Sequence, residues 1–354
     1  MAWHAGSCRP RRLPRGRLLY TTRLTPASTP EERILSIIEG YWHSRALAVA
    51  AELQLADLLA QGPLPVETLA ARTNTRAAAL FRLLRALESI GIFEQVSPQV
   101  FRNTPASDYL RRNAPRSQWA WARLVLSTGL GEYEAWAGLM DSIRTGKCAY
   151  EQIFGRPFWQ FLQQYPEKSA IFNEAMRDLS SSMTPAVTAA YDWSGFPLIA
   201  DIGGGLGSQL VDILDVHPAC RGILFDQPAV LAEAKPHDRV EPVAGDFLKS
   251  VPEGADAYLL RWIIHDWADA EAVAILGNVR KAMKPGSVLA VIEWVIPETP
   301  EPTPGKWMDL HMLALLGGRE RTAAEHNDLL RKAGLELERV IPTASSLSIV
   351  IGRR

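Results

Sequence analysis

The sequence predicts an α/β fold in two parts: an amino-terminal helical domain built on a winged helix, then a Rossmann-like sheet covered by helices. Three observations predict it. Apolar residues follow helical spacing from Glu31 onward. A helix-turn-helix pattern closed by two short strand-like runs occupies residues 65–103. After Trp193 the chain alternates β-rich runs with helical patterns.

The first helical stretch carries Ile34, Ile37, Ile38, Tyr41 and Trp42 as an apolar stripe that continues through Leu47, Val49, Leu53 and Leu55, which predicts long core-facing helices. Residues 65–71 and 76–90 read as two helices around the polar turn Thr73-Asn74-Thr75, and 92–96 with 100–103 as the wing. Helices rich in Trp and Leu follow from 118 to 190, broken at Pro157, Pro166 and Pro185, and suit a lid or substrate wall. Strands are expected at 198–202, 222–225, 240–243, 257–260 and 288–292, five units of a parallel sheet. The runs 336–341 and 347–351 read as an antiparallel pair closing its edge. The expected divisions are 1–30 as a leader, 31–112 as the winged-helix domain, 113–190 as the helical wall and 191–354 as the sheet domain.

At 354 residues, 47% of them apolar, the chain is long enough for two domains, one with a substantial core. A formal net charge of -1 gives no field that draws the protein to nucleic acid or an anionic membrane, which favours a small-molecule partner. Cys8, Cys148 and Cys220 form no CxxC pair, so neither a disulfide framework nor a zinc site is indicated and the reducing cytoplasm fits. No apolar run of about 18 residues occurs, since Glu52, Gln54 and Asp57 interrupt the stretch 46–59. The first thirty residues differ: Arg9, Arg11, Arg12, Arg15, Arg17 and Arg23 precede the first acid, Glu31. Such an arm resembles an organelle transit peptide and also fits a disordered leader.

The run Asp201-Ile202-Gly203-Gly204-Gly205-Leu206-Gly207 falls where the first strand ends and a helix begins. Glycines there let the backbone turn tightly and approach a ligand at the carboxyl edge of the sheet. The dinucleotide pattern GxGxxG is not met, because Ser208 stands at its last position. Asp201 repels a pyrophosphate and suits an ammonium group, so the amino acid moiety of S-adenosylmethionine fits beside it. Asp226, after the second strand, is placed to accept both ribose hydroxyls. Asp246, in Gly245-Asp246-Phe247, is placed to accept the adenine amino group while Phe247 lies against the ring. Any one such acid is commonly a loop cap; three at consecutive strand ends match a cofactor laid along the sheet edge.

The segment Leu260-Arg261-Trp262-Ile263-Ile264-His265-Asp266-Trp267 is more specific. It is joined by Phe172-Asn173-Glu174-Ala175-Met176, Phe225-Asp226-Gln227-Pro228, Ile292-Glu293-Trp294 and Gly317-Gly318-Arg319-Glu320-Arg321-Thr322. With these motifs in order, nearly everything after the leader resembles the small-molecule O-methyltransferase family. That family includes plant caffeate and flavonoid enzymes, acetylserotonin methyltransferase and bacterial antibiotic-pathway enzymes. The resemblance implies a class I methyltransferase sheet, S-adenosyl-L-methionine as cofactor, and an amino-terminal domain that forms a homodimer and closes part of the partner's site. It implies His265 as general base, with Glu293 and Glu325 as the two acids that hold its ring. It implies that Gly203, Gly205, Gly207, Gln227, Gly245 and Arg261 lie beside the cofactor. Phe172, Met176, Trp262, Met308 and Met312 then fall where the family lines its acceptor pocket, although Met and aromatic positions are commonly ordinary core.

The chemistry supports these roles. Methyl transfer from a sulfonium is an in-line displacement, so the protein aligns donor and acceptor oxygen and removes a proton. A phenol has a pKa near about 10, within reach of a positioned imidazole. A carboxylate on the other ring nitrogen fixes the tautomer and favours the imidazolium. Asp266 is expected to orient its loop or cap the following helix, with a hydrogen bond to substrate as a further role. His311 and His326 lie too far apart for one helical face, so no metal site is expected. Two other readings remain at this point: methylation of nitrogen or carbon on the same scaffold, and a winged-helix regulator that uses the sheet domain as a sensor.

Overall fold

The computed structural model describes residues 29–354, so the arginine-rich stretch read as a leader lies outside the described residues except for its last two. The first helix, Pro30–Glu52, opens with a capping box: the Thr29 hydroxyl accepts the Glu32 N–H at 3.2 Å and the Glu32 carboxylate accepts the Thr29 N–H at 2.8 Å. Ala48, Ala50 and Ala51 at its far end are buried. Ile34, Ile37, Ile38, Tyr41 and Trp42 are instead 56–61% exposed, which corrects the expectation that this stripe faces the core. Periodicity shows that a helix has an apolar face; it does not say which molecule covers that face.

The helix-turn-helix is present as Val66–Thr73 and Ala77–Ser89, turning through Asn74 at φ 51°. Leu80, Leu84 and Leu87 pack in one core with Phe93 and Phe101 of the wing. The wing strands Phe93–Ser97 and Val100–Asn103 pair antiparallel, and Leu64–Pro65 adds a third strand that is too short to leave a period in the sequence. In the stretch that follows, the prolines begin helices as well as interrupting them. Pro157 precedes Phe158–Gln164, Pro166 opens Pro166–Ser181, and Pro185 lies in the first turn of Thr184–Ala190.

The large sheet has seven strands: β1 Leu198–Ile202, β2 Arg221–Asp226, β3 Val240–Ala244, β4 Ala257–Arg261, β5 Val288–Glu293, β6 Glu336–Pro342 and β7 Ser348–Arg353. Their order is β6-β7-β5-β4-β1-β2-β3. Strands β1 to β5 run parallel, and β7 pairs antiparallel with both β5 and β6, as the sequence predicts. Every residue of β4 and β5 is buried, because helices cover both faces of a parallel sheet. Ala200, Tyr258, Leu260 and Val291 pack on one side beneath the helix Asp269–Ala282. Ile199, Leu224, Leu259 and Ile292 pack on the other beneath Ser208–Val216. The strand order turns back between β1 and β4, with Asp201 in register with Leu224 on one side and Leu259 on the other. This switch point is where such a sheet opens a crevice for ligands. No helix among the described residues is long and apolar enough to cross a membrane.

Candidate active site

The crevice is a cavity of about 1040 Å³. Strand ends of the sheet line one side, and the helices between 119 and 190 line the other. Polar links that cross between them include Gln163 Nε2 to Gln227 Oε1 at 3.2 Å and Asn173 Nδ2 to Glu233 Oε2 at 3.1 Å. The segment read as a lid or wall therefore borders the cavity.

The glycine loop is shaped for close approach. Gly203 has φ 67°, a left-handed backbone that strains any other residue, and a Cβ there would push on Ile263 Cδ1 at 2.5 Å. Gly205 has φ 58° and faces open space, leaving its backbone bare toward the cavity. Gly207, at φ 80°, starts the helix Ser208–Val216. Asp201 is buried, its Oδ1 has no hydrogen-bond donor, and burial pushes the carboxyl up to about 7 against the lowering effect of Arg261. An unpartnered buried acceptor beside a bare glycine turn is what an ammonium group would satisfy. Asp226 accepts the Gly205 N–H at 2.8 Å and the Gln227 N–H at 2.7 Å, which fixes its carboxylate at the cavity wall, and burial raises its pKa. Gly245, Asp246 and Phe247 line the next stretch of wall, with Asp246 accepting the Leu248 N–H at 3.0 Å and Phe247 edge-on to Trp267 at 5.9 Å. The donor set of bare glycines, spaced acids and an aromatic face fits the amino acid, ribose and adenine parts of S-adenosyl-L-methionine.

Arg261 is buried at the end of β4, where it ties the helical wall to the sheet. Its guanidinium donates to Thr184 Oγ1 at 2.7 Å, to Gln209 Oε1 at 2.9 Å and to the Ser180 carbonyl at 3.3 Å. Burial lowers its pKa to about 10 against the raising effect of Asp201, so it remains a cation, and both residues line the cavity.

His265 lies in the turn after β4, buried and lining the same cavity. Its ring is held on both nitrogens: Nδ1 is 2.6 Å from Glu320 Oε1 and Nε2 is 3.2 Å from Asp266 Oδ1. Glu293 Oε1 accepts its backbone N–H at 2.9 Å. Trp294 stacks near the ring at 6.2 Å and is itself stacked on Trp262 at 5.3 Å. Trp262 holds a left-handed backbone at φ 54°, which turns the chain sharply between β4 and His265. Burial alone lowers the histidine's proton affinity, but Glu320, Asp266 and Glu293 outweigh it and push the pKa up to about 10.

This geometry corrects three expectations. Glu325 does not hold the ring. It sits at N3 of the helix Ala323–Lys332, where it accepts the Thr322 N–H at 2.8 Å and pairs with Arg319. The ring is held by Glu320, in the middle of the Gly-Gly-Arg-Glu-Arg-Thr motif. Glu293 makes its hydrogen bond to the backbone N–H of His265 and none to the ring, which it reaches only through its charge. Asp266 caps no helix, since Ala268 precedes Asp269–Ala282; its carboxylate rests on the imidazole instead.

The motif around Glu320 is built to press on the histidine turn. A Cβ on Gly318 would strike the His265 carbonyl, and Arg319 donates its N–H to that carbonyl at 2.8 Å. Buried Arg321 donates to the carbonyls of Ile264 and Trp267, each at 3.1 Å. Phe172, Met176, Met308 and Met312 all line the cavity, with Phe158, Trp159, Trp121 and His311 beside them. Glu132 also lines it, from a Trp-rich stretch where no sequence pattern marks it. Among the described residues no group of three or more His, Cys, Asp or Glu side chains is arranged to hold a metal ion.

The fold and this edge of the sheet define a class I methyltransferase with an added helical domain. The chain belongs to the S-adenosylmethionine-dependent O-methyltransferase family: the family's O-methyltransferase domain matches residues 136–336 and its O-methyltransferase dimerisation domain residues 35–113. A phenazine O-methyltransferase of Lysobacter antibioticus is 44% identical over 90% of this chain and 95% of its own. A phenazine-1-carboxylate N-methyltransferase of Pseudomonas aeruginosa is 32% identical over 91% of this chain and 96% of its own. Among solved structures, human N-acetylserotonin methyltransferase with S-adenosylmethionine superposes with a TM-score of 0.85 at 29% identity, covering 94% of this chain and 99% of that one. An O-methyltransferase from neocarzinostatin biosynthesis, in complex with S-adenosylmethionine and 2-hydroxy-5-methyl naphthoic acid, gives 0.77 at 33% identity, with 88% and 95% covered.

Proposed function

We propose that the protein moves a methyl group from S-adenosyl-L-methionine to a hydroxyl oxygen of a small aromatic acceptor, with His265 as general base. The observation that carries this reading is the placement of His265: one buried imidazole, clamped by Glu320 and Asp266, lines the cavity shared by the glycine loop and the aromatic wall. The cofactor supplies an electrophilic methyl group on a positively charged sulfur. Asp201, Asp226 and Asp246 bind its polar parts, and the wall of Trp159, Phe172, Met176, Met308 and Met312 holds the acceptor's flat ring and keeps water out. His265 takes the acceptor's proton on Nε2. Glu320 holds the opposite ring nitrogen and stabilises the imidazolium that forms. A base with proton affinity close to that of a phenol, near about 10, suits this transfer.

Relatives include both O- and N-methyltransferases, and the buried base favours oxygen, because a neutral aromatic nitrogen attacks through its lone pair without losing a proton first. The naphthoic acid bound by one structural neighbour and the phenazine named for one relative both support an aromatic acceptor. The dimerisation domain and the exposed stripe on Pro30–Glu52 support a homodimer.

Calorimetric titration with S-adenosyl-L-methionine, together with a radiolabelled transfer screen over phenols, tests the reading. Label on a phenol oxygen is expected, with His265→Ala lowering turnover by about two to four orders of magnitude at little changed cofactor affinity. Label on nitrogen, or near wild-type turnover in the variant, would sink the assignment.

A further inference from the structure

The cavity has a second polar pole that proton removal at His265 does not use. Glu132 opens the short helix Glu132–Ala137, is 1% exposed and lines the cavity. Its Oε2 has no hydrogen-bond donor, and burial pushes the carboxyl up to about 8. His311, from the helix Pro304–Leu315, lines the same cavity with Nε2 at 3.4 Å from that oxygen. The indole N–H of Trp136 donates to His311 Nδ1 at 2.8 Å, which leaves the imidazole's own proton on Nε2, the nitrogen that faces Glu132. Burial, and then His265, hold His311 down at about 4, so the ring is neutral. The backbone is shaped for this arrangement. Gly131 has φ 103°, and any side chain there would run into Tyr150, so only glycine lets the chain deliver Glu132 to the wall.

A buried carboxyl without a donor and a neutral imidazole N–H beside it are complementary to a group that both donates and accepts. We propose that Glu132 and His311 form a second recognition subsite in the acceptor pocket, which binds a hydroxyl or N–H group on the aromatic ring away from the hydroxyl that is methylated. Glu132 accepts that group's hydrogen, and the His311 Nε2–H donates to its heteroatom. The preferred acceptor is then a bifunctional aromatic such as a dihydroxy or amino-hydroxy compound. An acceptor with one hydroxyl leaves Glu132 and His311 with only their own 3.4 Å contact, which makes no hydrogen bond, and a buried polar site penalises that far more than a lost methylene. The subsite rests on the O-methyl transfer reading, because His265 marks the reacting end.

The test measures binding in the dead-end complex with S-adenosylhomocysteine, so that it does not depend on turnover. The probes are 1-naphthol and the 1,5-, 1,6- and 1,7-dihydroxynaphthalenes, titrated into wild type, Glu132→Gln and Glu132→Leu. At least one dihydroxy isomer is expected to bind wild type about tenfold or more tightly than 1-naphthol. That ratio should vanish in Glu132→Leu and shrink in Glu132→Gln, which keeps the size and serves alone if the leucine variant does not fold. A wild type that prefers no dihydroxy isomer, or a ratio unchanged by Glu132→Gln, overturns the subsite. Label transferred to oxygen with an unchanged ratio defeats the subsite alone. A ratio that responds to Glu132 with no label on any oxygen supports the subsite and defeats the O-methyl reading alone.

Discussion

In the proposed reaction Glu320 sets the proton affinity of His265. It lies 2.6 Å from Nδ1, buried beneath a motif whose glycine and arginines press on the histidine turn. Glu320→Gln keeps the volume and removes the charge, and kcat should fall by about 10²–10⁴-fold. The sign of its pH effect follows from the cause of the shift: Glu320 raises the proton affinity of His265, so at neutral pH the ring holds a proton that it must lose before acting as a base. In wild type, kcat/KM therefore rises from neutral toward alkaline pH, and in Glu320→Gln the rise moves to lower pH. An unshifted profile would show that the carboxylate does not act through the imidazole. Glu325 gives the contrast. Glu325→Ala should cost about 1 kcal/mol of stability through its helix cap and leave the pH profile in place, as melting curves and rates would show. Both acids flank Arg321-Thr322, which is why a motif match alone confused them. Thr322-x-x-Glu325 is itself a legible capping signature that assigns Glu325 to the helix start. Glu132 left no such trace, since its burial depends on a glycine turn and on a helix 170 or more residues away, on which His311 lies.

At the scale of elements, signals that lie within one strand or turn were legible. The seven strands of the large sheet fall within two residues of their expected positions, and the buried parallel ones are legible as continuous β-branched and leucine runs bounded by turns. The acids at three consecutive strand ends were legible for the same reason, since strand ends fix where they emerge. What sequence could not show is contact between distant elements, such as Leu64–Pro65 joining the wing or Arg261 bonding to Ser180 and Thr184. The glycine loop gives this scale its test. Gly203→Ala places a Cβ against Ile263 and Phe247 at a left-handed φ, so the loop must shift from the position that leaves Gly205 open. Calorimetry should show cofactor affinity reduced about tenfold or more, by the loss of contacts to backbone and Asp201. Unaltered affinity would mean that the loop does not touch the cofactor.

For the whole molecule, the exposed apolar stripe on Pro30–Glu52 is the informative feature. Five large apolar side chains more than half exposed on one helix form a face that a single chain leaves uncovered, and this helix belongs to the matched dimerisation domain. The same helix touches the segment that carries Glu132. The Tyr133 hydroxyl donates to the Tyr41 hydroxyl at 2.9 Å, Arg45 lies over the Tyr133 ring at 4.5 Å, and Tyr133 follows Glu132 directly. A second chain packed on this face would therefore brace the loop that carries Glu132, while the glycine loop at the opposite end would feel little. Ile37→Glu with Ile38→Glu changes only exposed side chains, so the fold of each chain should survive. Sedimentation velocity should show wild type as a dimer and the double variant as a monomer. Acceptor affinity should drop by about fivefold or more through the coupled loop, while S-adenosylhomocysteine affinity stays near wild type. A variant that sediments as wild type would place the dimer contact elsewhere, and a monomer with unchanged acceptor affinity would separate assembly from the acceptor pocket.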